Sequence, residues 1–342
     1  MMNARSGGLT QHPVWMTISS LLARPQVRVL LSLLVVILCG IIFHADGAFF
    51  RWGVHRDMLR QISVYGMLAC GMTIVIISGG IDLSVGSVLG LVAVVFSILS
   101  IHLGLPAILA IPASLLVGTL CGMVSGGIIA RFHMQPFIVT LAMMVFARGM
   151  AKYVSGGMKI SNYIQEPNGS ISHVPMPAIY QTIDARLFSG NLATVTLIFL
   201  CCIALSWVLL ARLRYGRYIY AVGGNETAAR LSGVPVAWTK ILAYGMSGFF
   251  AAVAGICQAS QEFQGDPEAG ATYELTAIAI VVIGGANLMG GRGSILLTLL
   301  GTLTIGYLDK ILSINAAGEA TRLMLTGVII VAAVLLQRAN RR

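Results

Sequence analysis

The sequence predicts an all-α membrane protein of about ten transmembrane helices, and three observations lead there. Of its 342 residues, 57% are hydrophobic and only 10% charged, whereas a soluble domain carries about a quarter charged residues. The mean hydropathy is +0.87. The apolar residues gather in runs of about 20, the length that crosses a bilayer as a helix. The net charge of +10 comes from Lys and Arg clustered between runs, which reads as membrane topology and not as a nucleic-acid surface.

Taken in order, residues 1–25 form a basic, polar segment with Arg5 and Arg24. The run that follows lacks a small-residue cleavage site, so it reads as a retained first span. The candidate spans are 26–44, 61–79, 85–103, 107–130, 136–155, 191–211, 239–260, 273–289, 294–311 and 321–337. The third and fourth are parted only by "GLP" at 104–106, a tight turn. Basic clusters at "RLRYGR" (212–217) and "RANRR" (338–342) set the orientation. Both termini are then cytoplasmic, as is the loop 212–238. The loop 156–190 lies outside and reads as a partly ordered cap or re-entrant element. The transmembrane domain is single, 26–337, with a short tail at 338–342.

Two stretches echo one another. "IVIISGGIDLSVGS" (74–87) aligns with "IVVIGGANLMGGRGS" (280–294). Gly79-Gly80 faces Gly284-Gly285, and Asp82 faces Asn287. Glycine-interrupted helices used twice are a device of transporters near their substrate path. In the first copy the glycines end one helix, and Asp82 or Ser84 caps the next. The same break can also border a water-filled path, with Asp82 in contact with substrate.

Arg148, about 12 residues into its span, is the one charge well inside the apolar runs. Either it pairs with carbonyls or it meets a polar solute. Phe137, Phe146 and Tyr153 lie on the same span, where aromatic rings pack, anchor the interface or line a path. In "RLRYGRYIYAVGGNETAARLSGVPVAWTK" (212–240), Gly223-Gly224 read as a turn. Asn225 caps a short helix, Glu226 sits in its first turn, and Gly233 and Pro235 end it.

Several chemistries are excluded. There is no P-loop, no H-E-x-x-H and no G-x-S-x-G. The six His are scattered, so no metal site is expected, and the six Cys lie within apolar runs as small hydrophobes. Carboxylates within the spans are nearly missing. A proton- or sodium-driven carrier normally needs them, so the energy source lies outside this chain.

Together "GMTIVIISGGIDLSVGS", "GGNETAARLSGV" and "YELTAIAIVVIGGANLMGGRGS" resemble the ribose-type permease subunits of bacterial ABC sugar importers, over about residues 28–337. The resemblance implies a type II importer-like permease fold in the bacterial inner membrane. It implies a second permease chain, identical or related, and an ATPase subunit with two nucleotide-binding cassettes that uses ATP and Mg. It also implies a periplasmic sugar-binding protein; no cofactor is expected in this chain. It assigns Gly223, Gly224, Asn225, Glu226, Ala228, Ala229, Arg230, Leu231 and Gly233 to the helix that couples to the ATPase. Gly79, Gly80, Asp82, Ser84, Phe137, Phe146, Arg148 and Asn287 are candidates for the translocation path. Arg51, Arg56, Arg60 and Arg186 are candidates for docking the binding protein. The competing readings are an ABC permease for an autoinducer, nucleoside or amino acid, and a secondary carrier.

Overall fold

The computed structural model describes residues 24–165 and 170–318, together with 320–322, 324, 325, 327 and 328. The predicted segment 1–25 and tail 338–342 fall almost wholly outside the described residues. Eight described helices are long and apolar enough to cross a membrane: α1 (Pro25–Ile42), α2 (Trp52–Ile77), α3 (Val85–Ser97, continued by a π-helical turn to His102), α4 (Ala107–Phe132), α5 (Pro136–Ser155), α7 (Thr194–Ala211), α10 (Val236–Glu262) and α12 (Ile295–Ile314). The protein is a multi-pass membrane protein. Shorter helices are α6 (Ala178–Asp184), α8 (Arg214–Gly224), α9 (Glu226–Leu231) and α11 (Tyr273–Ile283).

Burial sorts the spans into layers. α2, α3 and α10 are mostly buried, whereas α1, α4 and α5 expose most of their surface. α10 lies at the centre, against α4, α2 and α3. Its packing rests on small residues. A Cβ on Gly118, Gly122 or Gly126 of α4 would come 2.7, 2.0 or 2.8 Å from α10 atoms. The spacing is small-xxx-small, which lets helix backbones touch where no hydrophobic effect drives them together.

Two spans differ from expectation, and a third lies mostly outside the described residues. α2 begins at Trp52 and not at 61, because its polar first turns are tied to the cap described below. The predicted span 273–289 shortens to the eleven residues of α11, ~16 Å at 1.5 Å per residue, half a bilayer. The predicted span 321–337 lies mostly outside the described residues; those described are helical.

The half that α11 lacks is irregular chain. Residues 264–272 turn back from the end of α10 and run antiparallel along α3. A Cβ on Gly265 would lie 2.7 Å from the Ala93 carbonyl. One on Gly90 would lie 2.6 Å from that of Ala269, and one on Gly86 2.2 Å from that of Gly270. Irregular backbone at this depth is tolerable only where protein covers it. Gly265 also exchanges two 2.8 Å backbone hydrogen bonds with Ile160.

The segment 156–190 folds as a cap at that end of the bundle. It holds an antiparallel hairpin, β1 (Tyr163–Gln165) with β2 (Ile171–His173), then α6 and β3 (Arg186–Leu187), which pairs with β4 (Leu192–Ala193) just beyond the segment. Tyr180 of α6 pins it. Its buried hydroxyl donates to Ser97 Oγ at 2.9 Å and meets Ser100 Oγ at 3.1 Å. Its ring stacks on Phe96 at 5.2 Å.

Candidate functional site

At the opposite end of the bundle, three glycine pairs from distant parts of the sequence meet. α2 ends with Gly79 in the left-handed region (φ 88°), and the Gly80 N–H reaches back to the Val75 carbonyl at 3.0 Å. α11 ends in the same way, with Gly285 (φ 80°) and an Ala286 N–H to Val281 carbonyl bond of 3.1 Å. Both are six-to-one Schellman closures, which require a residue that tolerates positive φ. The Gly291 N–H then donates to the free Ile77 carbonyl of α2 at 2.9 Å.

Gly223, at the end of α8, fits into this contact. A Cβ there would sit 1.7 Å from the Ile77 carbonyl oxygen and 2.7 Å from Gly291 N. Gly290 (φ 86°) faces Gly79 Cα and the Gly223 carbonyl, where a Cβ would meet atoms at 2.8 and 2.6 Å. The Tyr220 hydroxyl donates to the Gly293 carbonyl at 2.9 Å. The end of α2, the chain that follows the α11 break (Gly290–Gly291) and the end of α8 leading into α9 thus meet backbone to backbone.

The echo is real in geometry, with one slip of register. Asp82 Oδ1 accepts from Ser84 N at 3.0 Å, and Asn287 Oδ1 accepts from Met289 N at 3.2 Å. These are matching Asx turns, so Asp82 pairs with Asn287 as the alignment predicts. The left-handed glycines do not: Gly79 matches Gly285, one position off, because the first copy has one more residue between glycine and Asx turn. The expectation that Asp82 or Ser84 caps α3 is corrected too. Ser84 occupies the N-cap without a side-chain bond to the helix. Asp82 instead holds the turn before it, through Ser84 N and, at 2.6 Å, Ser84 Oγ. Both side chains are buried at 1% exposure.

Arg148 is placed elsewhere. Its Nη1 donates to the carbonyls of Pro267 and, at 2.8 Å, Ala269. It therefore braces the irregular stretch before α11, satisfying carbonyls that have no helix partner. Phe137 and Phe146 are both exposed on α5. Nine residues separate them, ~2.5 turns, so they point to opposite sides of the helix.

The segment 212–235 contains one helix more than expected. Gly223 and Gly224 are not a free turn; they are the last residues of α8. The chain kinks at Asn225 (φ −159°, ψ 106°), whose Oδ1 accepts from Ala228 N at 2.9 Å and caps α9. Ala229 is buried against Val222 and Val236. Glu226 accepts from Lys240 of α10 at 2.6 Å and from Arg230 at 3.1 Å. Ala228, Arg230, Leu231 and Gly233 face outward, Leu231 at 86% exposure. A short helix, clamped at its base, thus presents a bare leucine and an arginine.

Residues 55–334 match the family described as the permease component of branched-chain amino acid transport systems. The chain belongs to this permease family. It is 37% identical over 310 residues to the ribose import permease protein RbsC of Haemophilus influenzae, covering 88% of this chain and 90% of that one. It is 38% identical over 288 residues to the RbsC of Bacillus subtilis, covering 82% and 84%. The autoinducer 2 import system permease protein LsrD of Yersinia enterocolitica is 34% identical over 270 residues, 79% of each chain.

In this permease the basic residues at the capped end hold the cap. Arg60 bridges Asp184 of α6, with Nε at 3.0 Å. Arg186 bridges Asp57 at 2.8 Å, and Arg56 donates to the Gly190 carbonyl at 3.1 Å. Arg51 is exposed. Among the described residues, no three His, Cys, Asp or Glu side chains gather as metal ligands, and the cysteines are unpaired. Sequence reasoning passed over the permease's Gly118, Gly122 and Gly126, though their four-residue spacing was readable, and Gly290, which the echo touches only in passing.

Proposed function

We propose that this permease is the membrane subunit of an ATP-binding-cassette importer for a monosaccharide. The observation that carries the reading is the glycine junction. It brings the segment bearing α9 into backbone contact with the end of α2 and with the chain that follows the α11 break, so a push on α9 is passed to both. The likeness to ribose import permeases over most of the chain supports a sugar as cargo, and the scarcity of carboxylates within the spans supports a drive supplied from outside.

In this reading α9 lies in the cytoplasm, with both chain termini, and docks on an ATPase subunit with two nucleotide-binding cassettes. ATP and Mg belong to that subunit. Ten spans of the type II importer class, paired with an identical or related permease chain in the inner membrane, enclose the path. A periplasmic binding protein delivers sugar to the capped end, where Arg51 is the most available of the basic candidates. ATP binding moves α9. The junction passes that motion to α2 and α11, and the path opens to the other side. Asp82, Ser84 and Asn287 keep the two breaks in shape, while Phe137 and Phe146 face either lipid or the second permease chain.

The likeness to an autoinducer 2 permease makes such a solute the second reading. A ligand screen on the copurified binding protein separates the two. The coupling role is tested with Arg230→Glu in the reconstituted complex. Uptake is expected to fall by about tenfold or more, as loss of a charged interfacial contact worth ~1.4 kcal/mol or more requires. Normal uptake with normal stimulation by the loaded binding protein overturns the assignment.

A further inference from the structure

Between α2, α11 and α12, toward the capped end, lies a cavity of about 220 Å³. Its wall sets a cluster of polar side chains among apolar ones such as Met58, Ile62, Ile305 and Leu312. Gln61 and Tyr65 come from α2, Tyr273 and Thr276 from the first turn of α11, and Asp309 from α12, with Arg322 beside it. The Tyr65 and Tyr273 rings lie 4.3 Å apart at 37°. Arg322 Nη1 donates to both Asp309 oxygens, at 3.2 and 3.3 Å.

This combination selects a ligand class. An amide, phenols, an alcohol, a carboxylate and a guanidinium supply donors and acceptors at close spacing, as a polyhydroxyl compound demands. Aromatic rings give its C–H faces an apolar surface. The ion pair leaves the cavity near neutral, so neither an anion nor a cation finds a net opposite charge. Drug-sized ligands occupy pockets of ~300–1,000 Å³; a smaller cavity suits a single sugar ring.

The geometry points to a monosaccharide-binding site in this cavity, within one permease chain and on the side where substrate arrives. The inference rests on the sugar-import reading above. Tyr273 and Thr276 begin the same eleven-residue helix whose far end is the Gly284–Gly285 break. The chain that leaves this break enters the glycine junction at Gly290 and Gly291, so the cavity and the junction are linked through α11 and the residues just beyond it.

The test uses the assembled complex in lipid nanodiscs, carrying Thr276→Cys and treated with a membrane-impermeant maleimide. The unaltered chain is the control for native thiols, and D-ribose, a panel of other aldoses and L-leucine are the probes. An aldose is expected to slow labelling severalfold while leucine does not. Adding Gln61→Leu is expected to raise the half-protecting concentration about tenfold, the loss of one well-made hydrogen bond. If Thr276→Cys does not assemble, Thr272→Cys at the exposed edge of the cavity takes its place. Equal labelling with every aldose, or equal protection by leucine, overturns the site. ATP-dependent uptake by the unaltered complex reads the parent proposal separately. Sugar uptake without protection sinks the cavity alone, whereas protection without ATP-dependent uptake sinks the importer reading and leaves the cavity standing.

Discussion

Glu226 shows how one residue fixes a working surface. It is the only acid on α9, and it ties that helix both to itself, through Arg230, and to α10, through Lys240. Burial pushes its carboxyl up, but the Lys240 hydrogen bond and the Lys240 and Arg230 charges outweigh this and hold it below its ordinary value. A depressed carboxylate stabilises fully above its unfolded pKa of ~4.3 and loses that contribution as pH falls through the folded value. The melting difference between the wild type and Glu226→Gln is therefore expected to stay constant from neutral pH down to about 5 and to shrink as pH falls below the unfolded value of ~4.3. Thermal melts of the detergent-solubilised complex across that range check it. The cap at Asn225 and the acid after it were legible in "GGNETAARLSG", because capping is a local rule. The partner Lys240 was not, because its distance of 14 residues is set by how α10 returns.

Among elements, α4 and α10 give the sharpest contrast between neighbouring positions. Gly122→Ala places a methyl 2.0 Å from the Tyr244 carbonyl, whereas Gly127→Ala, on the same helix, meets nothing within 4 Å. The first is expected to destabilise by ~1–3 kcal/mol or more through overpacking. The second is expected to be neutral or to add up to ~1 kcal/mol through helix propensity. Melting temperatures of the two variants, measured side by side, decide it. The spans themselves were legible because hydropathy reports length directly. The helix breaks were legible because paired glycines after an apolar run mark a C-terminus. The half-length of α11 was not. "QGDPEAGAT" reads as an exposed loop, and only the glycine and alanine contacts with α3 reveal that it folds back into the helix layer. α8 was missed for the opposite reason: its closing Gly-Gly looks like a turn, while its helical character comes from burying Gly216, Ile219 and Val222 against the bundle.

The molecule as a whole has two organised ends. At one end a cap is held by Arg56, Arg60, Arg186 and Tyr180; at the other, three glycine pairs meet below two broken helices. Between them α11 spans from a polar cavity to the junction, and Arg148 secures the irregular chain at its start. In the proposed reading this arrangement acts as a lever: substrate is met at one end, force enters at the other, and α11 with the chain that follows it connects the two. The most direct test of that account is Gly223→Ala in the complete transporter, with ATP hydrolysis and sugar uptake measured on the same proteoliposomes after assembly has been verified. Its methyl would fall 1.7 Å from the Ile77 carbonyl oxygen, forcing the junction apart. The account predicts that hydrolysis persists while uptake falls by about tenfold or more, the equivalent of ~1.4 kcal/mol of lost coupling. An assembled Gly223→Ala complex that imports sugar at the wild-type rate per ATP hydrolysed would contradict it.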